Sequence, residues 1–510
     1  MAEKADVVET VKQGYAFDGA ALELGALLVD GTPKPEAAVR IPLGMMNRHG
    51  LVAGATGTGK TKTLQLMAEQ LSAAGVAVFA ADVKGDLSGI SQPGAGGDKL
   101  LARTKAIGQD WTATGFPTEF YALGGQGTGI PIRATITSFG PVLLSKVLGL
   151  NDVQESSLGL IFHYADKAGL TLLDLKDLRA VIQHLTSDEG KADLKDLGGL
   201  SAATAGVILR ALIGFADQGA EAFFGEPEFD TADLLQQRDG KGVISLLELP
   251  NLQDRPALFS TFLMWLLADL FHDLPEVGDV DKPKLVFFFD EAHLLFNDAS
   301  KAFLDSIAQT VRLIRSKGVG VFFVTQTPKD VPDAVLAQLG SRVQHQLRAH
   351  TPNDAKALKA TVSTFPSSSY DLGEVLTQLG IGEAIVTVMN ESGAPTPVAW
   401  TRLRAPQSLM APASAEQLTA TVQASPNNAK YSETVDRESA YEILAAKVQA
   451  GAEQAAAEEQ AKPEPESRPR AQKPEKTMVE QVIGSTAFKQ FARTAGREIV
   501  RGLFGAARRK

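Results

Sequence analysis

Eight consecutive residues, Gly54-Ala55-Thr56-Gly57-Thr58-Gly59-Lys60-Thr61, fit the spacing G-x-x-x-x-G-K-[ST] without a gap. Each residue type has a mechanical reason at its position. Glycines at 54, 57 and 59 let the backbone curl until successive N–H groups point at one anion. A helix starting behind them offers its positive end to the same charge. Lys60 can bridge the β- and γ-phosphates of a nucleotide, and the Thr61 hydroxyl can ligate Mg²⁺. Thr63, in the first turn of that helix, joins the residues expected to contact the nucleotide. The alternative is a glycine-rich turn with an incidental Lys-Thr pair. It is the weaker reading, because the motif stands between an apolar strand and a helix, as a phosphate loop must.

A second group lies in Leu285-Val286-Phe287-Phe288-Phe289-Asp290-Glu291. A buried strand ending on two acids delivers them where open parallel sheets bind ligands. Asp290 is the expected magnesium ligand, and Glu291 the group that orients and deprotonates an attacking water. A helix-capping acid pair is the bland alternative. Gln326 ends the next strand, VFFVTQ, beside Thr325, and can sense a γ-phosphate; ordinary strand-end polarity is the competing reading. Arginine commonly supplies positive charge to phosphoryl transfer. Arg312, Arg315, Arg342 and Arg348 follow the acid pair, and each taken singly also reads as solvated or salt-bridged. Asp290-Glu291-Ala292-His293 spells a helicase box of another superfamily, but the companion motifs of that box do not follow, so His293 is read as a helix-side residue or one that supports the site from behind, rather than a catalytic one.

The elements that position these residues follow from hydrophobic periodicity. HGLVAG, the helical KTLQLMAEQLSAAG and the strand VAVFAAD (76–82) make a βαβ unit, which implies a parallel sheet covered by helices. The expected fold class is α/β: a RecA-like P-loop core with a mainly parallel sheet, a helical insertion, a linker and an amphipathic tail. Residues 1–48 read as a short strand-rich lead-in, 49–140 as the first part of the core, 141–240 as the helical insertion and 241–405 as the second part. FPTEFYAL and IPIRATI, around GGQGTG, read as a β-hairpin. Residues 411–477, rich in Ala, Glu, Lys and Pro, read as a partly helical, partly disordered linker, and 478–510 as a basic amphipathic tail.

Composition narrows the chemistry. The absence of Cys among 510 residues excludes disulfides, thiolate metal sites and cysteine nucleophiles. A formal net charge of −10 argues against binding nucleic acid through global basicity, so any such contact must be local. MAEKADVVETVKQ lacks the apolar centre of a signal peptide, and the apolar run Leu258–Phe271 is too short to span a bilayer. The expected location is cytoplasmic.

With GATGTGKT, D-V-K-G-D (82–86), FFFDEAH and RSKGVGVFFVTQTPKDVPDAVLAQLGSRVQHQL, the chain resembles the HerA–FtsK superfamily over about 40–405, nearest the bacterial HerA-like NTPases of the YjgR type. The resemblance implies an ATP- and Mg²⁺-dependent RecA-like ATPase, a hexameric ring and work on double-stranded DNA as a translocase or helicase-like motor. It implies that Lys60 and Thr61 bind nucleotide, that Asp290 and Glu291 are the magnesium and catalytic acids, and that Gln326 is the sensor. Arg315 is the match to the arginine offered to a neighbouring subunit. Asp82 and Asp86 take a role near the nucleotide or in capping. About fifty residues stand here where HerA helicases carry a β-barrel domain. An ATPase that remodels or gates a protein assembly is the second reading, and a small-molecule kinase the third. The tail carries Lys489, Arg493, Arg497 and Arg501 among Phe488, Phe491, Ile499 and Leu503, which suits docking to DNA, an acidic membrane or a protein partner, or packing on its own protein.

Overall fold

The computed structural model describes residues 2–194, 198–249, 256–278, 280–297 and 301–461. Contacts divide the chain into one unit over Met1–Lys447 and a second over Val448–Lys510. The described residues of the second unit, 448–461, belong to the helix Ala440–Ala461, and the expected tail 478–510 lies outside the described residues.

The first unit is built on strands β1 (Ala21–Val29), β2 (Thr32–Pro42), β3 (Gly50–Ala53), β4 (Ala77–Asp82), β5 (Thr118–Leu123) and β6 (Ile130–Ile132). A two-stranded ribbon, β7 (Gln237–Arg238) and β8 (Lys241–Gly242), precedes β9 (Ile244–Glu248), β10 (Leu285–Phe289) and β11 (Val319–Thr325). β12 (Ser341–Gln344), β13 (Glu383–Thr387) and β14 (Ala399–Leu403) complete the set. Twelve strands form one sheet in the order β2-β1-β14-β13-β12-β3-β11-β10-β4-β9-β5-β6. From β12 to β6 all neighbours are parallel, and from β2 to β12 all are antiparallel. This is the mixed α/β, mostly parallel sheet expected.

Strands buried on both faces must be apolar throughout, and the central ones are. In β10, Leu285, Phe287 and Phe289 enter one core, while Val286 and Phe288 enter the other. β11 divides the same way, with Val321 and Phe323 opposed to Phe322 and Val324. The first core also holds the insertion helices Ile136–Val147, Asp152–Lys167, Leu175–Thr186 and Ala202–Asp217. Asn151 and Asp174 start two of these with reciprocal capping boxes, in which the cap side chain accepts from the backbone three residues on. No described helix is long and apolar enough to cross a membrane.

Three places differ from the sequence expectation. The segments around GGQGTG do not form a hairpin: β5 and β6 pair in parallel, with Tyr121 opposite Ile130. The glycine-rich link doubles back along the strand, and a Cβ on Gly129 would lie 2.3 Å from the Tyr121 carbonyl carbon, so only glycine permits the approach. The lead-in contains the helix Ala2–Gly14, and β1 and β2 extend the main sheet through β14. Finally, the stretch from 411 is partly helical as expected, with the helices Ala415–Ala424 and Pro426–Tyr431, but it packs into the core rather than serving as a free linker. Tyr431 is fully buried, its carbonyl accepts from Arg133 Nη1 at 3.0 Å, and Asn427 donates to the Tyr121 hydroxyl at 2.9 Å.

His49, just before β3, is 2% exposed, and its Nδ1 accepts the Val321 N–H at 3.0 Å. Burial lowers its pKa from 6.5 to about 4. The folded protein therefore keeps His49 neutral where the unfolded chain takes up a proton, and this contribution to stability is lost as pH falls from about 6.5 towards 4. His49→Asn retains an acceptor and tolerates the positive φ of 62°. Buried Asp82 and Asp290 work in the opposite sense, so the variant must be compared with its parent. Denaturant unfolding at pH 7 and pH 4.5 should show the parent losing on the order of 2 kcal/mol more than His49→Asn.

Candidate nucleotide site

β3, β10 and β11 run parallel, with Ala53 level with Thr325 and Phe289 level with Phe323. Their C-terminal ends therefore deliver the phosphate loop, the acid pair and Gln326 to one edge of the sheet. The loop is tied to both neighbouring strands: Gly54 N donates to Thr325 O at 3.1 Å, and Ala55 N to Gln346 O at 2.8 Å. Thr58 Oγ1 and Lys60 Nζ both donate to the Ala55 carbonyl, at 2.7 and 3.2 Å. Gly59, at φ +110°, turns the chain into the helix Lys60–Ala73. Thr56 and Gly57 are exposed and Thr61 is half-buried, so the loop's outer face and the helix start are open to a ligand.

His345 supports the loop from beneath. It is fully buried, its Nε2 lies 2.9 Å from Thr63 Oγ1, and a Cβ on Gly54 would meet its own Cβ at 2.4 Å. Burial first, and the Lys60 charge second, lower its pKa to about 4, so it is neutral at pH 7. Thr63 thus holds the loop through His345.

Asp290 and Glu291 are 2% and 5% exposed. Asp290 Oδ1 accepts the Glu291 N–H at 2.9 Å, while Oδ2 is buried with no hydrogen-bond partner. Burial, then the Glu291 charge, pushes Asp290 up to about 7. A buried, unpartnered carboxylate oxygen and a half-buried threonine hydroxyl at a helix start are hard oxygen donors delivered to one edge of the sheet, so Asp290 and Thr61 fit Mg²⁺ by their chemistry. Glu291 sits at φ +48°, an uncommon conformation for a non-glycine residue. Its Oε1 is hydrogen-bonded and ion-paired to Lys84 Nζ, and its Oε2 lies 3.3 Å from His293 Nδ1. Burial raises the Glu291 pKa, but the Lys84 hydrogen bond and charge outweigh it and hold the carboxyl below its ordinary value. Lys60 is 8% exposed, and burial lowers its pKa against the pull of Glu291 and Asp290.

Asp82 caps its own turn, accepting from Gly85 N at 2.8 Å and Leu87 N at 2.9 Å; burial raises its pKa to about 6. Asp86 is half-buried, with Oδ1 unpartnered. Gln326 is exposed and lines a cavity of about 270 Å³ with Ala55, Thr56, Thr327, Leu347 and Arg348. Thr325 is committed elsewhere, its hydroxyl donating to Asp330 at 2.7 Å.

Arg315 is not brought to this edge. It is exposed in the turn Arg315–Lys317 before β11, at the opposite end of a seven-residue strand. At about 3.3 Å per residue that is roughly 20 Å from the loop of the same chain. Arg342 donates to the Thr364 carbonyl at 3.2 Å. Arg348, by contrast, donates to Thr56 O of the loop at 3.2 Å.

Sequence reasoning missed Lys84 and His345 as members of the site, and of the four arginines it raised it favoured Arg315 over Arg348, the one that reaches the loop. Lys84 stood between two quoted aspartates at the end of a strand, and that position was the available signal. His345 and Arg348 follow β12, whose parallel pairing with β3 carries them beside the loop.

The sequence pattern described as "Helicase HerA-like C-terminal" matches residues 28–510. A "Probable helicase MJECL08" of Methanocaldococcus jannaschii is 32% identical over 153 residues, which is 28% of this chain and 28% of that protein. The chain thus spans about a quarter of that relative's length in the matched part. Among solved structures, the unbound bacterial conjugative coupling protein TrwBdeltaN70 superposes with a TM-score of 0.53 at 16% identity, covering 79% of this chain and 92% of that one. The plasmid coupling protein TrwB in complex with ADP and Mg²⁺ gives 0.50 at 18% identity, covering 77% and 96%. At those identities the likeness speaks for the fold. Together with the sequence match across most of its length, it establishes that the chain belongs to the HerA-like helicase C-terminal family of P-loop NTPases.

Proposed function

We propose that this chain is an ATP-hydrolysing motor that acts as a ring of identical subunits, hexameric by analogy with the superfamily, on double-stranded DNA. The observation that carries hydrolysis is the position of Glu291, buried beside the phosphate loop with Oε1 paired to Lys84 and Oε2 without a hydrogen-bond partner. Lys60 and the loop amides from Thr56 to Thr61 would hold the phosphates, with Gln326 beside the γ-phosphate. A magnesium ion held by Thr61 and Asp290 would offset the negative charge of the phosphate oxygens. Glu291 would take a proton from a water in line with the γ-phosphate, and Lys84 would keep its carboxylate turned towards that water. The TrwB structures with ADP and Mg²⁺ and with an ATP analogue support the choice of ligands. Arg315 supports the ring, since it lies about a strand's length from its own loop and is free to serve a neighbour's nucleotide.

A second reading has its own observation. Residues 141–240 contain 16 Asp and Glu against 8 Lys and Arg, a net −8 out of −10 for the chain. Such a surface repels a phosphate backbone and suits a protein, as an ATPase that remodels or gates a protein assembly would require.

Turnover measured with and without duplex DNA separates the two. The motor reading expects DNA to raise the ATPase rate several-fold. DNA-insensitive turnover would transfer support to the protein-remodelling reading. Glu291→Gln is expected to lower kcat by about a hundredfold or more in either case. Mixing inactive Lys60→Ala and Arg315→Ala subunits should restore measurable turnover, because mixed interfaces combine an intact loop with an intact arginine; no recovery would remove Arg315 from a shared site.

Lys84 gives a finer test. Lys84→Met should lower kcat roughly tenfold with KM little changed, and Lys84→Arg should recover most of the rate, as expected for a group that orients another. Unchanged kcat in Lys84→Met would show that Glu291 needs no such partner.

A further inference from the structure

The turn between the helix Leu372–Gln378 and β13 rests against the phosphate loop. Gly382 N donates to Thr58 O at 3.1 Å, and a Cβ on Gly59 would stand 3.5 Å from Gly382 N. From the other side, Arg103 Nη2 donates to Gly382 O at 2.8 Å, and the same carbonyl accepts Leu403 N at 3.0 Å. Gly382 has φ +72°, which favours glycine, and a Cβ there would displace the Arg103 guanidinium, whose Nη2 would lie at 2.6 Å. One hydrogen bond thus ties the turn to the loop, and two more, from Arg103 and Leu403, hold it from behind.

Ile381 precedes Gly382 on this fixed turn, and its side chain is 77% exposed, the highest value among the described exposed large hydrophobic residues. An exposed aliphatic side chain is unremarkable on a surface at large. Its place is what matters. A nucleotide whose phosphates follow the amides towards Gly59 and Lys60 leaves the loop at the start of the helix with its α-phosphate and nucleoside. That is the end of the loop against which Gly382 is seated.

We propose that Ile381 is the platform for the nucleobase, covering one face of the ring of a bound purine nucleotide. The inference rests on the phosphate-loop reading and adds a base subsite to it. Contact is through dispersion and removal of apolar surface from water, since isoleucine has no group that can read a base edge. The rigid seating of Gly382 supplies the preorganisation: the side chain is held out before the ligand arrives, and little ordering remains to be paid on binding.

Binding of ATP and of inorganic tripolyphosphate, each with Mg²⁺, to the full-length protein and to Ile381→Ala tests the proposal. Tripolyphosphate retains the charges that the loop recognises and lacks the nucleoside. Ile381→Ala should weaken ATP roughly fivefold while leaving tripolyphosphate within twofold of the parent. Ile381→Leu, which keeps the apolar surface, should bind ATP as the parent does. An equal loss for both ligands would overturn the proposal by showing that Ile381 acts through the loop, and no loss for either would remove it from the site. The phosphate-loop reading stands or falls separately: Lys60→Ala should weaken both ligands, and failure of the parent to bind either one would defeat that reading.

Discussion

The hydrogen-bonded register between β3, β11 and β10 holds the candidate site together. Parallel pairing sets Ala53 beside Thr325 and Phe289 beside Phe323, so three strands far apart in sequence end at one level. Residues immediately beyond those ends, Gly54, Gln326 and Asp290, have no freedom to be elsewhere. A one-residue slip of β10 would turn its Phe287 and Phe289 from one core to the other and displace Asp290 and Glu291 together. The apolar cost of that slip protects the positions of the acids, because both faces of the sheet are filled. The core and the chemistry are therefore specified by the same pairing.

The charges gathered at that edge are balanced within a small space. Asp290, Glu291 and Asp82 meet Lys60, Lys62 and Lys84, and burial first, with these neighbouring charges after it, sets the direction in which Lys60, Lys62 and Asp290 are shifted. The two adjacent acids respond in opposite directions. Asp290 has no cation on Oδ2, and burial favours its protonated form. Glu291 has Lys84, and remains ionised in spite of burial. An environment that separates two neighbouring carboxylates in this way is what the proposed division of tasks, one for a metal and one for a proton, would require.

Much of this was legible in the sequence because it depends on local chemistry. Gly54 to Thr61 announces its own conformation, and the uninterrupted LVFFF of β10 announces a strand covered on both faces. What was not legible depends on distant pairing. GGQGTG carries the residues of a tight turn, which suit a hairpin as well as the parallel return that occurs; the pairing of β5 with both β9 and β6 decides, and local propensity is silent about it. The helix Ala2–Gly14 has only a weak apolar stripe, and its place is fixed by Val11 and Tyr15 meeting the sheet, with the Tyr15 hydroxyl donating to Pro397 O at 2.9 Å. Ala, Glu and Pro after 411 resemble a linker in composition, yet Asn427 and Tyr431 bond to buried Tyr121 and Arg133, about 300 residues away in sequence. Lys84 and His345 were missed for the same reason, since each is placed by a partner distant in sequence, Glu291 and Thr63.

The distribution of charge bears on where work can be done. The insertion holds nearly all of the chain's net negative charge and also exposes Val142, Val153 and Ile213. Without the insertion, the remaining 410 residues are close to neutral, with a net −2. A core of that balance can approach a polyanion through local lysines and arginines without a large opposing field, provided that the insertion faces elsewhere. The insertion is built on the core that contains Phe287 and Phe289, whereas the loop and acids project from the strand ends. Separation of a charged helical layer from the strand-end chemistry lets one surface be selected for protein contact while the other is kept for phosphates. The two proposed readings then describe two surfaces of one sheet, one a charged helical layer and the other the ends of its parallel strands.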